Sequence, residues 1–288
     1  MARRSPHAAA ALVLTIGGVI AIAQSARGQD AALPSAPSDS QPRTTPDHPL
    51  AWVLKYARDE RAYLQSAVRD FTCRVTKRER IEGELQEHHA IDMRVREQSL
   101  AGTQVVRPLS VMLEFLGPER VEGRRVLFVA GQNDGKLLVR KGGRRFGYVV
   151  VDVDPDGPIV RQESLMPISE IGFSHLLDRM IRTLEQDMVA DPSGDDTIVE
   201  HIKGVAIDDR PCEMLRVTHP RRRDGLQFFS ASVAIDTELH VPVRFDVYDW
   251  PEAPGGQPPL TAEFTYTNVT LNPNLDDAVF TTATLRGP

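Results

Sequence analysis

The sequence predicts a mainly β fold of the α+β class, about ten antiparallel strands with two helices. Three observations lead there. Apolar and polar residues alternate with period two over a succession of short runs, the pattern of strands with one buried face. Most of these runs are joined by short segments containing Gly, Pro, Asn or Asp, too short for the crossover that a parallel pair needs. Only two segments, 49–69 and 168–188, carry apolar residues at helical spacing.

Taken in order, Leu50, Val53, Leu54, Ala57, Tyr63, Leu64 and Val68 recur with a period near 3.6 between Pro49 and Arg69, which predicts an amphipathic helix. The period then changes. Phe71, Cys73 and Val75 alternate with polar neighbours, Gly83 marks a turn, and Ile91, Met93 and Val95 alternate again, so a hairpin is expected. Further strands are predicted over Leu109–Phe115, Val126–Ala130, Lys136–Arg140 and Phe146–Asp152, with Gly131-Gln-Asn133-Asp134-Gly135 as a hairpin turn. Ile171, Leu176, Leu177, Met180, Ile181 and Leu184 then predict a second helix over 168–188, with Ser169 or Ser174 available as N-cap. Five more β-rich runs follow, at Thr197–Ile207, Cys212–Thr218, Phe228–Ile235, Val241–Tyr248 and Leu260–Val269.

The chain has 288 residues, with 34 Lys+Arg against 40 Asp+Glu, 8 His and 2 Cys. A formal charge of −6 lacks the concentrated basic surface that phosphate contact needs, and it argues against a nucleic-acid partner. Arg3 and Arg4 followed by the apolar run Ala8–Ala23 read as a signal peptide, with possible cleavage after Ala23 or Gly28. That run is shorter than the ~20 residues that span a bilayer, so no transmembrane segment is expected in the mature chain. Residues 1–28 are assigned to the leader. Residues 29–47, rich in Pro and Ser, are assigned to a flexible linker, and 48–288 to one domain. Loss of Arg3, Arg4 and Arg27 with the leader leaves 31 cations against 40 carboxylates, a charge of −9. The expected location is the periplasm or cell envelope.

The sharpest motif is Asp152-Val-Asp154-Pro-Asp156-Gly157 through to Glu163, which fits the spacing of a calcium loop. The flanking strand, the two prolines and the absence of an entering helix fit an Asp-Pro-Asp-Gly turn as well. Asp152, Asp154, Asp156 and Glu163 are therefore candidate calcium ligands, and otherwise no cofactor is expected. His88-His89 would point to opposite faces of a strand, which makes a shared metal improbable and a solvated position the simpler reading. Cys73 and Cys212, in an exported protein, could form a disulfide or remain two buried thiols. Lys77-Arg78-Glu79-Arg80 and Arg221-Arg222-Arg223-Asp224 read as solvated edges. No catalytic residues are assigned: there is no G-x-S-x-G, no H-E-x-x-H and no phosphate loop, so the protein is not expected to be an enzyme.

Arg107-Pro108 with Val111-Met-Leu-Glu-Phe115, the Asn133-Asp134-Gly135 turn, and the ending Tyr266-Thr-Asn268 to Phe280 resemble the lipoprotein-carrier (LolA-like) superfamily. The chain looks most like a family of exported bacterial proteins sharing that fold. The resemblance implies a strongly curved antiparallel sheet, an unclosed half-barrel, with the helices packed on its concave face. It also implies an apolar cavity for acyl chains between sheet and helices. If the strands are regular, Val95, Val111, Leu113, Phe115, Phe128, Val139, Phe245 and Phe264 face that side, and Leu177 and Ile181 of the second helix would face them. Each of these is also an ordinary core residue.

The expected function is thus non-enzymatic binding of an acyl-chain ligand or lipoprotein, two or three acyl chains contributing ~0.8 kcal/mol per buried methylene. The alternative is an envelope interaction or sensor domain with a filled core that docks a partner protein.

Overall fold

A computed structural model describes residues 47–143 and 149–287. The expected leader, all but the last residue of the expected linker, and positions 146–148 of the expected strand 146–152 lie outside the described residues.

Helix α1 (Ala51–Ala67) buries Val53, Leu54, Ala57 and Leu64, the stripe that the helical spacing singled out. The chain then extends into β1 (Asp70–Ile81), β2 (Glu84–Leu85) and β3 (His89–Arg96). A small separate hairpin, β4 (Ser99–Ala101) with β5 (Gln104–Arg107), precedes β6 (Ser110–Gly117). Next come β7 (Arg125–Val129), β8 (Leu137–Arg140) and β9 (Val150–Val153), then the single turn α2 (Pro158–Arg161) and the long helix α3 (Phe173–Ala190). Five strands complete the sheet: β10 (Ile198–Ile207), β11 (Arg210–Thr218), β12 (Ser230–Asp236), β13 (Pro242–Tyr248) and β14 (Leu260–Leu271). A short helix α4 (Thr282–Arg286) ends the description.

Twelve strands make one antiparallel sheet in the order β10-β11-β12-β13-β14-β1-β3-β6-β7-β8-β9, with β2 paired onto the end of β1. The edges β9 and β10 do not pair, so the sheet is an open half-barrel. The topology explains the long helix. The chain leaves the sheet at one edge, β9, and re-enters at the opposite edge, β10. Helix α3, with 18 residues and a rise of about 1.5 Å each, is long enough to carry much of that crossing.

Both long helices cover one face. Leu50, Val53, Leu54 and Ala57 pack with Leu184 of α3 and with Leu215, Val217 and Phe228 from the β11–β12 region. The end of α1 and the start of α3 join the main cluster through Leu64, Phe173 and Leu177. On the other face, Phe280 and Leu285 of the C-terminal segment pack on Met112, Leu127, Val129 and Leu138. Strands β6, β7 and β8 are therefore buried on both sides, which is why their sequences run nearly continuously apolar instead of alternating.

The second helix starts later than its apolar spacing suggests. Ile168–Glu170 forms a 3-10 turn, and the N-cap of α3 is Gly172; neither Ser169 nor Ser174 caps it. Gly172 has φ 141°, and a Cβ there would lie 2.8 Å from Oε1 of Glu97, so both backbone and space require glycine. The far end of α3 is anchored by a buried polar network. His219 shares a 3.2 Å contact with Asp187, and Asp191 accepts from the backbone N–H of Asp196 and the hydroxyl of Thr197. Arg221 pairs with Asp196, and Arg223 with both Asp191 and Asp196. The run 221–223 stays exposed, as expected of a solvated edge, while Arg221 and Arg223 reach carboxylates that the fold has taken out of water and Arg222 pairs with Asp249.

Candidate functional site

A cavity of about 530 Å³ lies between the sheet and the segment 158–176. Its floor is built by inward-facing positions of β1, β3, β6, β7 and β8: Phe71 and Val75, Ile91 and Met93, Leu113 and Phe115, Val126, and Leu137 with Val139. Phe264 and Tyr266 of β14 extend it, and Val151 and Val153 of β9 close one side. Its roof is Ile159 and Val160 of α2, then Met166, Ile168 and Ile171, and finally Phe173 and Leu176 of α3. The strands expose these side chains to one side because alternate residues of a strand share a face. Phe71 and Phe173 stack with ring centroids 4.3 Å apart at the apolar end.

Four of the ten expected lining residues, Leu113, Phe115, Val139 and Phe264, line this cavity. Val95, Val111, Phe128 and Leu177 belong to the same apolar cluster but are packed within it. Phe245 stacks behind Phe264 with centroids 4.4 Å apart. Ile181 packs in the other cluster, against the α1 side. The cavity lies under the segment before α3 and the helix's first turn rather than along the whole helix, because the body of α3 is filled in by α1.

The opposite end of the cavity is charged. Lys77 and Glu79 continue the inward parity of Phe71, Cys73 and Val75, and both are buried. The Lys77 ammonium donates to Glu79 Oε2 at 2.5 Å and to Ser164 Oγ at 2.8 Å. Glu79 also accepts from the backbone N–H of Leu165 at 3.0 Å and from the Ser164 hydroxyl at 3.1 Å. These bonds fasten the roof to the sheet. His89 stands opposite Lys77 in the β1–β3 register and contacts Arg120 at 2.9 Å. Burial, with the neighbouring charges of Lys77 and Arg120, holds its imidazole down at about 4, so it is neutral at pH 7. His88 and His89 do point to opposite faces, but only His88 is solvated.

The calcium-loop string forms no calcium-loop geometry. Asp154 accepts from the backbone N–H of Asp156, as in a turn, and Glu163 pairs with Arg124 at 3.2 Å and Arg120 at 3.7 Å. Asp152 lines the cavity. Among the described residues no three His, Cys, Asp or Glu side chains are gathered as metal ligands. Cys73 and Cys212 are separate buried thiols. Strands β12, β13 and β14 lie between β11 and β1, and at ~4.8 Å per strand the two residues are far beyond the reach of a disulfide. Burial pushes the Cys73 thiol up to about 12.

Sequence reasoning missed Lys77, Glu79, Arg120 and Arg124. The signal for the first pair was the period-two parity, which continues through 77, 79 and 81. Nothing local marks the two arginines.

The fold and its cavity define a half-barrel protein with a partly charged internal pocket. The chain belongs to the family described as "Protein of unknown function (DUF1571)", which matches residues 68–284. No curated protein matches it. Among solved structures it is similar to a LolA superfamily protein from Nitrosomonas europaea, at 11% identity, covering 78% of this chain and 97% of that one, TM-score 0.33. It is also similar to lipoprotein LppX of Mycobacterium tuberculosis, at 12% identity, 78% and 98% coverage, TM-score 0.39. A DUF1329 family protein from Desulfovibrio piger is 13% identical, with 81% and 98% coverage and a TM-score of 0.36. Among the described residues no helix is long and apolar enough to cross a membrane.

Proposed function

We propose that this is a non-enzymatic protein of the bacterial periplasm or envelope, exported by residues 1–28, that binds an acyl-bearing lipid or lipoprotein between sheet and roof. The observation that carries this reading is the cavity, about 530 Å³ with a mainly aliphatic and aromatic lining. Cores are packed with few voids larger than a water molecule, so a space of this size, within the range of ligand pockets, needs an occupant. At ~30 Å³ for a water-sized group, it holds about 18 such groups, which is one alkyl chain rather than two or three. Some sixteen methylenes at ~0.8 kcal/mol each give a gross ~13 kcal/mol before the cost of association is subtracted.

Native mass spectrometry of protein purified without detergent tests this. A bound species of single-chain lipid mass, removable with loss of thermal stability, is expected. A protein that is uniformly empty, takes up no lipid and melts identically after delipidation would refute it. A second reading, a domain that docks an envelope protein, is favoured by the β4–β5 hairpin, where Leu100, Val105 and Val106 are 56%, 49% and 65% exposed. Loss of a crosslinked envelope partner on Val106→Asp substitution, with lipid binding unchanged, would support it.

A further inference from the structure

We infer that the ligand of this cavity carries an anionic head group, a carboxylate or a phosphate monoester, on one alkyl chain, and that the head lies at the Lys77–Arg124 end. The inference rests on the lipid-binding reading and adds the chemistry of the head. Strand β1 runs along the cavity floor, and Phe71 and Lys77 lie six residues apart on it, about 20 Å of extended chain. Aromatic rings line both ends, Phe71 with Phe173 at one and Phe115 with Phe264 at the other, and the lining cations gather at the Lys77 end. At the cationic end Lys77, Arg124 and Lys141 line the cavity, and Arg120 reaches it through the shared partner Glu163. Of the carboxylates at this end, Glu163 lines the cavity and Glu79 is the partner of Lys77, whereas Asp152 registers with Leu138 in the row of Thr72, beside Phe71; four cations thus meet two anions in a protein whose overall charge is −6.

Both carboxylates are already engaged. Glu79 accepts from Lys77, Ser164 and the Leu165 N–H, and Glu163 sits between two guanidinium groups. The cations have donors to spare. An ammonium has three protons and Lys77 places two, on Glu79 and Ser164. Arg124 has five and, among the described residues, places one, on Glu163, while its guanidinium lies 5.6 Å from the Phe115 ring centroid. His89 adds no charge of its own, and its depressed titration, due after burial to Lys77 and Arg120, reports the positive surroundings. A head that only accepts hydrogen bonds fits unspent donors; a hydroxyl gains less, and a quaternary ammonium finds repulsion.

The experiment uses the delipidated full-length protein and four probes below their micelle concentrations: dodecanoate, dodecyl phosphate, dodecanol and dodecyltrimethylammonium. Acetate and inorganic phosphate are the chain-free controls. Both anionic amphiphiles are expected to bind at least ~10-fold tighter than dodecanol and dodecyltrimethylammonium, since a charge-assisted hydrogen bond is stronger than a neutral one. Arg124→Gln and the exposed Lys141→Gln should each narrow that advantage, weakening the anionic amphiphiles more than dodecanol. Equal binding of all four amphiphiles would overturn the inference while sparing the lipid-binding reading, leaving the Lys77–Glu79 pair as a clasp for the roof. Acetate or inorganic phosphate binding as tightly as the amphiphiles would overturn it in favour of a free-anion site. Failure of every amphiphile to bind would overturn both.

Discussion

Glu97→Gln should make this protein more stable at pH 8 and leave it nearly unchanged at pH 4. Glu97 follows the end of β3 and is 6% exposed, wedged against Gly172 at the start of α3, with Oε1 lacking any hydrogen-bond partner. Burial raises its carboxyl from 4.5 to about 7; the backbone N–H groups of Ser174 and Phe173 pull it partly back, and Asp178 pushes it further up. Between those two values the folded protein keeps a proton that the unfolded chain has released. Stability therefore falls as pH rises through the window from about 4.5 to 7, because the native state binds the extra proton there. The full rise corresponds to roughly 3 kcal/mol. Glutamine copies the protonated acid and removes that loss, so the variant's gain should grow from near zero at pH 4 toward ~3 kcal/mol at pH 8. For a domain of this size that is a melting shift on the order of 6–12 °C. Urea unfolding of both proteins at several pH values, followed by the fluorescence of Trp52 and Trp250, measures the difference directly. A difference that stays flat between pH 4 and 8, or a variant less stable at pH 8, would refute the reasoning.

Two further predictions concern buried groups. Lys77→Met alone leaves the buried Glu79 carboxyl without its ammonium partner and should cost about 3–5 kcal/mol, whereas Lys77→Met with Glu79→Met should recover more than half of it; a single-variant cost below ~1 kcal/mol in urea titration would contradict the buried pair. Cys73 and Cys212 should both react with an alkylating reagent in denaturant and neither without it, and the intact mass should be the same with and without reductant. A mass lower by two hydrogens before reduction would show a disulfide instead.

Much of the strand plan was legible because a half-buried strand writes its burial into alternate residues. Phe71, Cys73 and Val75 on β1, and Ile91, Met93 and Val95 on β3, are buried as their spacing predicts. The same rule, carried on through Lys77 and Glu79, would have placed both inside. Residue type pointed the other way, because a charge is normally solvated unless it is paired, and the partners Ser164 and Leu165 are supplied by a segment more than eighty residues further on. Glu163 misled for a related reason. Its spacing from Asp152 suits a calcium loop, but Arg120 and Arg124 claim the carboxylate from some forty residues upstream. The start of α3 could not be read locally either, since the requirement for glycine at 172 comes from Glu97 on a distant turn.

By itself the sequence determined the class of fold, the two long helices, the inward faces of the strands and the antiparallel character of the sheet. These depend on periodicity and on turn residues, which act over a few positions. Only the tertiary structure decided that a cavity remains, where it lies, that one of its ends is cationic, and that the two cysteines stand apart. Those are properties of strand order and of how far the roof stands off the sheet, set by residues that neighbouring positions in the chain do not constrain.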